Sequence, residues 1–205
     1  ILGIAGIIVN VLGMFFRIPL GNIIGEIGMG YYQKAYPVYS FMLVISTAGI
    51  PAAISKMISE RRAVGEYNEA HRVFRIALQL MMALGLVTFL LMFFGAPLIA
   101  RLQNAPEAFL SLRALAPALL LCPIMSCYRG FFQGQKNMAP TAVSQFFEQV
   151  FRVGLGLFLA WMLFKKDDPS SLPKAAAGAS FGASAGAFFG LLVMIFLFYL
   201  NRPNM

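Results

Sequence analysis

One stretch of the chain carries polar residues at a spacing that could do chemistry inside an otherwise apolar rod. Thr141, Ser144, Gln145, Glu148, Gln149 and Arg152 recur at intervals of three and four, so on a helix they share one face. At about 1.5 Å per residue, Arg152 lies about 18 Å beyond Pro140, well inside a hydrocarbon core about 30 Å thick. A stripe that long cannot face lipid: it lines a watery cavity or it knits helices together. Glu148 stands four residues before Arg152, the favourable order for an intrahelical ion pair. Such a pair would leave Arg17 as the main net cation.

Arg17 sits between Phe16 and Ile18 in another apolar run. An arginine in hydrocarbon costs at least about 2.5–3.5 kcal/mol on insertion scales. It therefore faces a cavity, or it snorkels to the headgroups near Glu26. Asn10 lies two helical turns earlier on the same face and would extend a polar stripe there. Tyr32, Tyr36 and Tyr39 share a face of the next segment, either as an interfacial aromatic belt or as a platform where a sugar or headgroup could stack. Tyr32 and Tyr36 are the candidates for such a contact.

Catalytic signatures are missing. The chain has no HExxH, GxSxG, P-loop or paired-cysteine metal motif, and its serines have no histidine to activate them. His71, the only histidine, has no second metal-binding side chain at ligand spacing and reads as a surface residue. Asp167 and Asp168, beside Lys165 and Lys166, read as a solvated turn at the membrane edge. Neither an enzyme nor a cofactor is expected, and no metal site.

These residues must be positioned by elements that span a bilayer. Of 205 residues 60% are hydrophobic and only 12% charged, with a mean hydropathy of +0.76. A soluble domain has about 25% charged residues, so this chain must turn apolar side chains to lipid. The same figures exclude intrinsic disorder. Cys122 and Cys127 lie five apart in one apolar run and face different ways, which excludes a disulfide scaffold. The net charge of +8 points to cytoplasmic loops or a cationic cavity rather than to nucleic acid.

Six apolar segments are long enough to cross: about 1–24, 31–54, 73–94, 109–132, 140–164 and 175–200. Joined by short connections, they predict an all-α, polytopic membrane bundle with residues 1–205 as one transmembrane lobe. Lys56, Arg61, Arg62, Arg72 and Arg75 crowd the connection between the second and third segments, which places that loop and the N-terminus in the cytoplasm. Arg129, at the end of the fourth segment, and Lys136, just after it, fall on the same side. The crowded connection reads as a helical extension stopped at Gly65 and a restart capped by Asn68, with Glu69 in its first turn. Pro37, Pro51, Pro117 and Pro123 mark kinks or hinges. Gly178, Gly182, Gly186 and Gly190 give the sixth helix a smooth face for close packing or for sliding, and Gly130 and Gly134 form a further GxxxG.

Three separated motifs resemble a known family. They are Gly28-Met29-Gly30-Tyr31-Tyr32-Gln33-Lys34-Ala35-Tyr36-Pro37, then Gly49-Ile50-Pro51-Ala52-Ala53-Ile54-Ser55-Lys56, then Arg129-Gly130-Phe131-Phe132-Gln133-Gly134 through Asn137-Met138-Ala139-Pro140-Thr141 to Ser144-Gln145, Glu148-Gln149 and Arg152. In this order they resemble the stage V sporulation protein B branch of polysaccharide-biosynthesis membrane proteins. That branch groups with the lipid II flippases in the multidrug/oligosaccharidyl-lipid/polysaccharide exporter superfamily. The resemblance implies a fragment of a longer bacterial plasma-membrane protein, the N-terminal lobe of a two-lobed transporter whose second lobe is absent. It implies translocation of an undecaprenyl-pyrophosphate-linked saccharide, a cell-wall, peptidoglycan or polysaccharide precursor, by alternating access. Arg17 matches a cavity arginine of the lipid II flippases, while Asn10 stands where those proteins carry a second arginine.

The expected partners are thus an anionic lipid-linked saccharide and membrane lipids. A multidrug or cation antiporter of the same superfamily is the alternative, although it would need a cavity acid and this chain offers only Glu148. A non-transporting scaffold in cell-wall or spore-coat assembly is the third reading. It would be indifferent to Arg17 and Arg152 but sensitive to bulk at Gly182 or Gly186.

Overall fold

The computed structural model describes residues 2–47, 49–165 and 168–201; within the first fourteen residues it describes the side-chain environment only at 7, 11 and 13. Among the described residues every regular element is helical. Helix α1 spans Leu2–Thr47, α2 Ile50–Ala63, α3 Tyr67–Leu102, α4 Phe109–Gly134, α5 Ala139–Leu163 and α6 Ser171–Leu200, with one 3-10 turn at Pro106–Ala108. Five helical stretches are long and apolar enough to cross a membrane, the first of them Phe15–Ala63.

That first stretch contains two of the expected crossings. A straight helix of 46 residues would be about 69 Å long, more than twice the hydrocarbon thickness. Gly25 breaks it with φ 64° and ψ −172°, a conformation essentially closed to residues with a Cβ. The two arms, residues 2–24 and 26–47, match the first expected segment and most of the second. The expected second helix does not run unbroken to residue 54. Gly49 takes a left-handed φ of 73°, and Pro51 opens α2 in its first turn, where a missing N–H costs little.

The restart after α2 also differs from expectation. Gly65 has φ 80°, and the Glu66 N–H donates to the Arg61 carbonyl, which closes the end of α2. Glu66 then precedes α3, which begins at Tyr67. Asn68 is therefore inside the first turn rather than at its cap, because the backbone turn at Gly65 already sets the entry. Pro37, Pro117 and Pro123 lie within helices. Helix α3 extends six residues before and eight after the expected segment, while the boundaries of α4, α5 and α6 shift by at most four.

Helix α4 is the central rod. Leu112, Leu115, Leu119, Met125 and Phe132 are fully buried between α3, α6 and α1. On the outer faces Leu80, Leu91, Phe94 and Leu98 of α3 and Phe158, Trp161 and Met162 of α5 are exposed, the pattern of a surface solvated by lipid. Between helices the contacts are made by small residues. At Gly134 a Cβ would stand 2.7 Å from the Ser55 carbonyl oxygen and 2.9 Å from the Ile58 Cβ, so α4 meets α2 backbone to backbone. Gly134→Ala is expected to lower stability by about 1–3 kcal/mol through overpacking, measurable as a lower midpoint of thermal unfolding in detergent.

Candidate functional site

The polar stripe lies on α5, and the neighbouring helices divide it into two parts. At its N-terminal end Thr141 and Ser144 are buried, and the Ser144 hydroxyl donates to the Thr141 carbonyl at 2.9 Å. Arg129 reaches across from α4. Its Nε donates to the Ser144 Oγ at 3.1 Å, and one of its terminal nitrogens meets a Glu148 carboxylate oxygen at 2.8 Å. Both side chains of the pair are only 15% exposed. This is a charge-assisted clasp between α4 and α5, shielded from the screening that weakens surface pairs.

Glu148 is therefore not the intrahelical partner of Arg152. The order along α5 favours that pair, but Arg129 offers two hydrogen bonds at once from the facing helix. Arg129 is also not a loop charge: it lies inside α4, half-buried. Its place near the end of an apolar run is the available signal in the sequence, since an arginine there needs a partner or a route to water.

The second part of the stripe faces α1. The Arg152 guanidinium stands 5.9 Å above the ring of Tyr36, within cation–π range. Tyr36 stacks on Tyr32 at 5.7 Å and tilts against Tyr39 at the same distance, and Tyr32 packs against Phe16 at 6.0 Å. Tyr39 continues the ladder inward, its hydroxyl 3.8 Å from the Cys122 sulfur. Tyr32 is buried and Tyr36 half-buried, so this aromatic ladder supports Arg152 more than it offers free ring faces. Arg152 forms no ion pair among the described residues.

Arg17 follows Phe16 on α1 and is exposed, likewise without an ion pair among the described residues; Glu26, also exposed, does not meet it. Gln149 is buried and Gln145 half-buried on the same stripe. The side chain of Asn10 falls outside the described residues. The structure thus brings Arg152, Tyr36, Tyr32 and the Arg17 turn of α1 to one region, and Glu148, Ser144 and Arg129 to another.

The glycine face of α6 holds this arrangement together. At Gly182 an added Cβ would lie 2.5 Å from the Arg152 carbonyl oxygen, and at Gly186 2.5 Å from that of Glu148. Close packing against the stripe's own backbone is what these glycines do in this state.

His71 is partly exposed, its Nδ1 3.0 Å from the Tyr67 carbonyl, and no group of metal-binding side chains occurs among the described residues. Asp168 accepts the Ser170 N–H at 2.9 Å, and hydrogen bonds from Ser170 hold its carboxyl below the ordinary range. Lys166 and Asp167 of the same turn lie outside the described residues.

An all-helical bundle with apolar outer faces and five helical stretches long enough to cross a bilayer defines a multi-pass membrane protein. The chain belongs to the polysaccharide biosynthesis protein family, whose family model matches residues 1–205. It is 34% identical over 204 residues to the lipid II flippase MurJ of Bacillus subtilis (strain 168), covering 95% of this chain and 37% of that protein. It is 33% identical over 199 residues to stage V sporulation protein B of the same organism, covering 97% and 38%. The uncharacterized membrane protein YabM, also of that organism, is 34% identical over 204 residues, all of this chain and 37% of that one.

The chain thus spans less than two-fifths of the length of these relatives. Among solved structures, an inward-facing multidrug resistance MATE family transporter of the MOP superfamily superposes with a TM-score of 0.68. At 17% identity, over 95% of this chain and 45% of that one, the match shows a shared fold. Of these proteins one is named a flippase, one a membrane protein and the solved neighbour a transporter, and none is named as an enzyme.

Proposed function

We propose that residues 1–205 form the N-terminal lobe of a flippase that carries an anionic lipid-linked saccharide between leaflets, with the N-terminus in the cytoplasm. The arrangement of Arg152 carries this reading. Because Arg129 takes up Glu148, Arg152 keeps its charge available, and Tyr36 holds its guanidinium in place. Arg17, which is exposed, supplies a second cation from α1. Two guanidinium groups suit a pyrophosphate, which accepts paired, charge-assisted hydrogen bonds and cannot cross hydrocarbon alone. Gln145 and Gln149 would add polar contacts along the wall, and Asn10 would extend it on α1. The edges of Tyr32 and Tyr36 would meet the headgroup or first sugar.

The identity to a named lipid II flippase supports an undecaprenyl-pyrophosphate substrate. Relatives more than twice as long support a second lobe against which this one would rock in alternating access.

The test is saturable binding to the purified full-length parent protein, comparing an undecaprenyl-pyrophosphate saccharide with a lipophilic cation. Arg17→Gln and Arg152→Gln are each expected to weaken the pyrophosphate lipid about 10- to 100-fold, the worth of a charged hydrogen bond. Binding of the cation, with both arginines indifferent, would instead place the protein among cation antiporters.

A further inference from the structure

At the end of the bundle where the C-termini of α2 and α4 meet, Ser59, Arg62, Gln135 and Lys136 line a cleft of about 220 Å³. It lies apart from the stripe and has no role in the transport reading above. The cleft is built rather than incidental, because Gly130 and Gly134 seat α4 directly on the backbone of α2 just before it. Its polar lining is rich in donors: a hydroxyl, a guanidinium, an ammonium and an amide. The Gln135 Nε2 is buried and has no hydrogen-bond partner among the described residues. A buried donor left unmet is costly, and because Gln135 lines the cleft, a turn of its amide would bring the donor to an acceptor bound there.

The charges point the same way. The acids at this end are taken by other cations: Glu60 by Lys56 at 3.9 Å, Glu66 by Arg61 at 2.6 Å and Glu69 by Arg72 at 3.6 Å. Arg62 and Lys136 form no ion pair among the described residues. Arg62 is steadied over the Tyr67 ring at 5.3 Å. Lys136 adopts a left-handed φ of 61° as α4 ends, a position that glycine fills more cheaply; here it places an ammonium at the cleft. Helix C-termini repel anions, but several of the end carbonyls are engaged. Phe131, Phe132 and Gln133 accept from Gln135, Lys136 and Asn137, while Arg61 and Arg62 accept from Glu66 and Gly65.

We infer that this cleft binds a phosphate group, presented by an anionic phospholipid of the adjoining leaflet or by a free phosphate. Basic pockets between helix ends at a membrane face are suited to headgroups of this kind.

The experiment uses the purified full-length parent protein with two probes, phosphatidylglycerol titrated against a phosphatidylcholine background, and inorganic phosphate. The double variant Arg62→Gln/Lys136→Gln is expected to bind the effective probe about 30-fold more weakly. The equal charge loss Lys56→Gln/Arg72→Gln, outside the cleft, should leave binding unchanged. Gln135→Leu, which alters no charge, should weaken it about tenfold or more. Dependence seen with phosphatidylglycerol alone assigns a lipid ligand, and dependence seen with inorganic phosphate assigns a free one. Equal weakening by both double variants, an indifferent Gln135→Leu, or no saturable binding of either probe would overturn the inference.

Discussion

Gly182→Leu is expected to abolish recovery of folded protein, or to lower its thermal midpoint in detergent well below that of Gly134→Ala. Even the first carbon of a side chain at this position would stand 2.5 Å from the Arg152 carbonyl oxygen, 2.7 Å from the Gly156 Cα and 2.9 Å from the Gly156 nitrogen. All three atoms are backbone, so no rotamer change on α5 relieves the overlap. The helices must separate along their length, and the loss then exceeds the roughly 1–3 kcal/mol typical of overpacking against side chains. In lipid no hydrophobic effect draws helices back together, and close van der Waals packing carries the association.

Gly154→Ala, on an open part of α5, is the control; there an added Cβ meets nothing within 4 Å, and the midpoint should hold or rise. A folded Gly182→Leu protein with an unchanged midpoint would show that α5 and α6 do not pack as described. The result also bears on whether this face slides, because a surface seated on the Arg152 and Glu148 carbonyls can move only by leaving them.

Removal of one member of the Arg129–Glu148 clasp is expected to be the second large effect. Glu148→Ala would leave a guanidinium in a half-buried site with only the Ser144 hydroxyl for company, a change that costs about 3–5 kcal/mol when a buried pair is broken. Arg129→Ala would strand the carboxylate at similar cost. The double variant should lose much less than the sum of the two, because neither charge is then left alone. Unfolding midpoints of the two single variants and the double close this cycle. A parallel cycle with Arg152 provides the contrast, with small coupling expected between Glu148 and Arg152. Strong coupling there, and none to Arg129, would overturn the pairing and with it the availability of Arg152 to an anion.

Much of this protein is legible in one dimension. Bilayer crossing follows from composition and run length, because hydrocarbon of fixed thickness sets the number of apolar residues a helix must supply. The stripe on α5 and the small-residue face of α6 follow from helical periodicity, which needs no knowledge of neighbours. The positions of Gly25 and Gly49 as breaks are harder to see, since a glycine inside an apolar run is as often a packing residue as a turn.

What a side chain meets across a helix interface is decided only by the tertiary structure. Spacing along α5 offers Glu148 to Arg152, yet the carboxylate goes to Arg129, which lies nineteen residues away in sequence and on the facing helix in space. Sequence ranks local partners by periodicity; the fold ranks them by distance and geometry, and a facing arginine that can also engage Ser144 forms the more complete set of bonds. The same holds for Arg152, whose place over Tyr36 depends on the α1–α5 contact, and for the glycines, whose need for smallness becomes specific once the opposing carbonyls are in place. Element type and membrane residence are thus properties of the chain's local pattern, while the distribution of charge at the site belongs to packing.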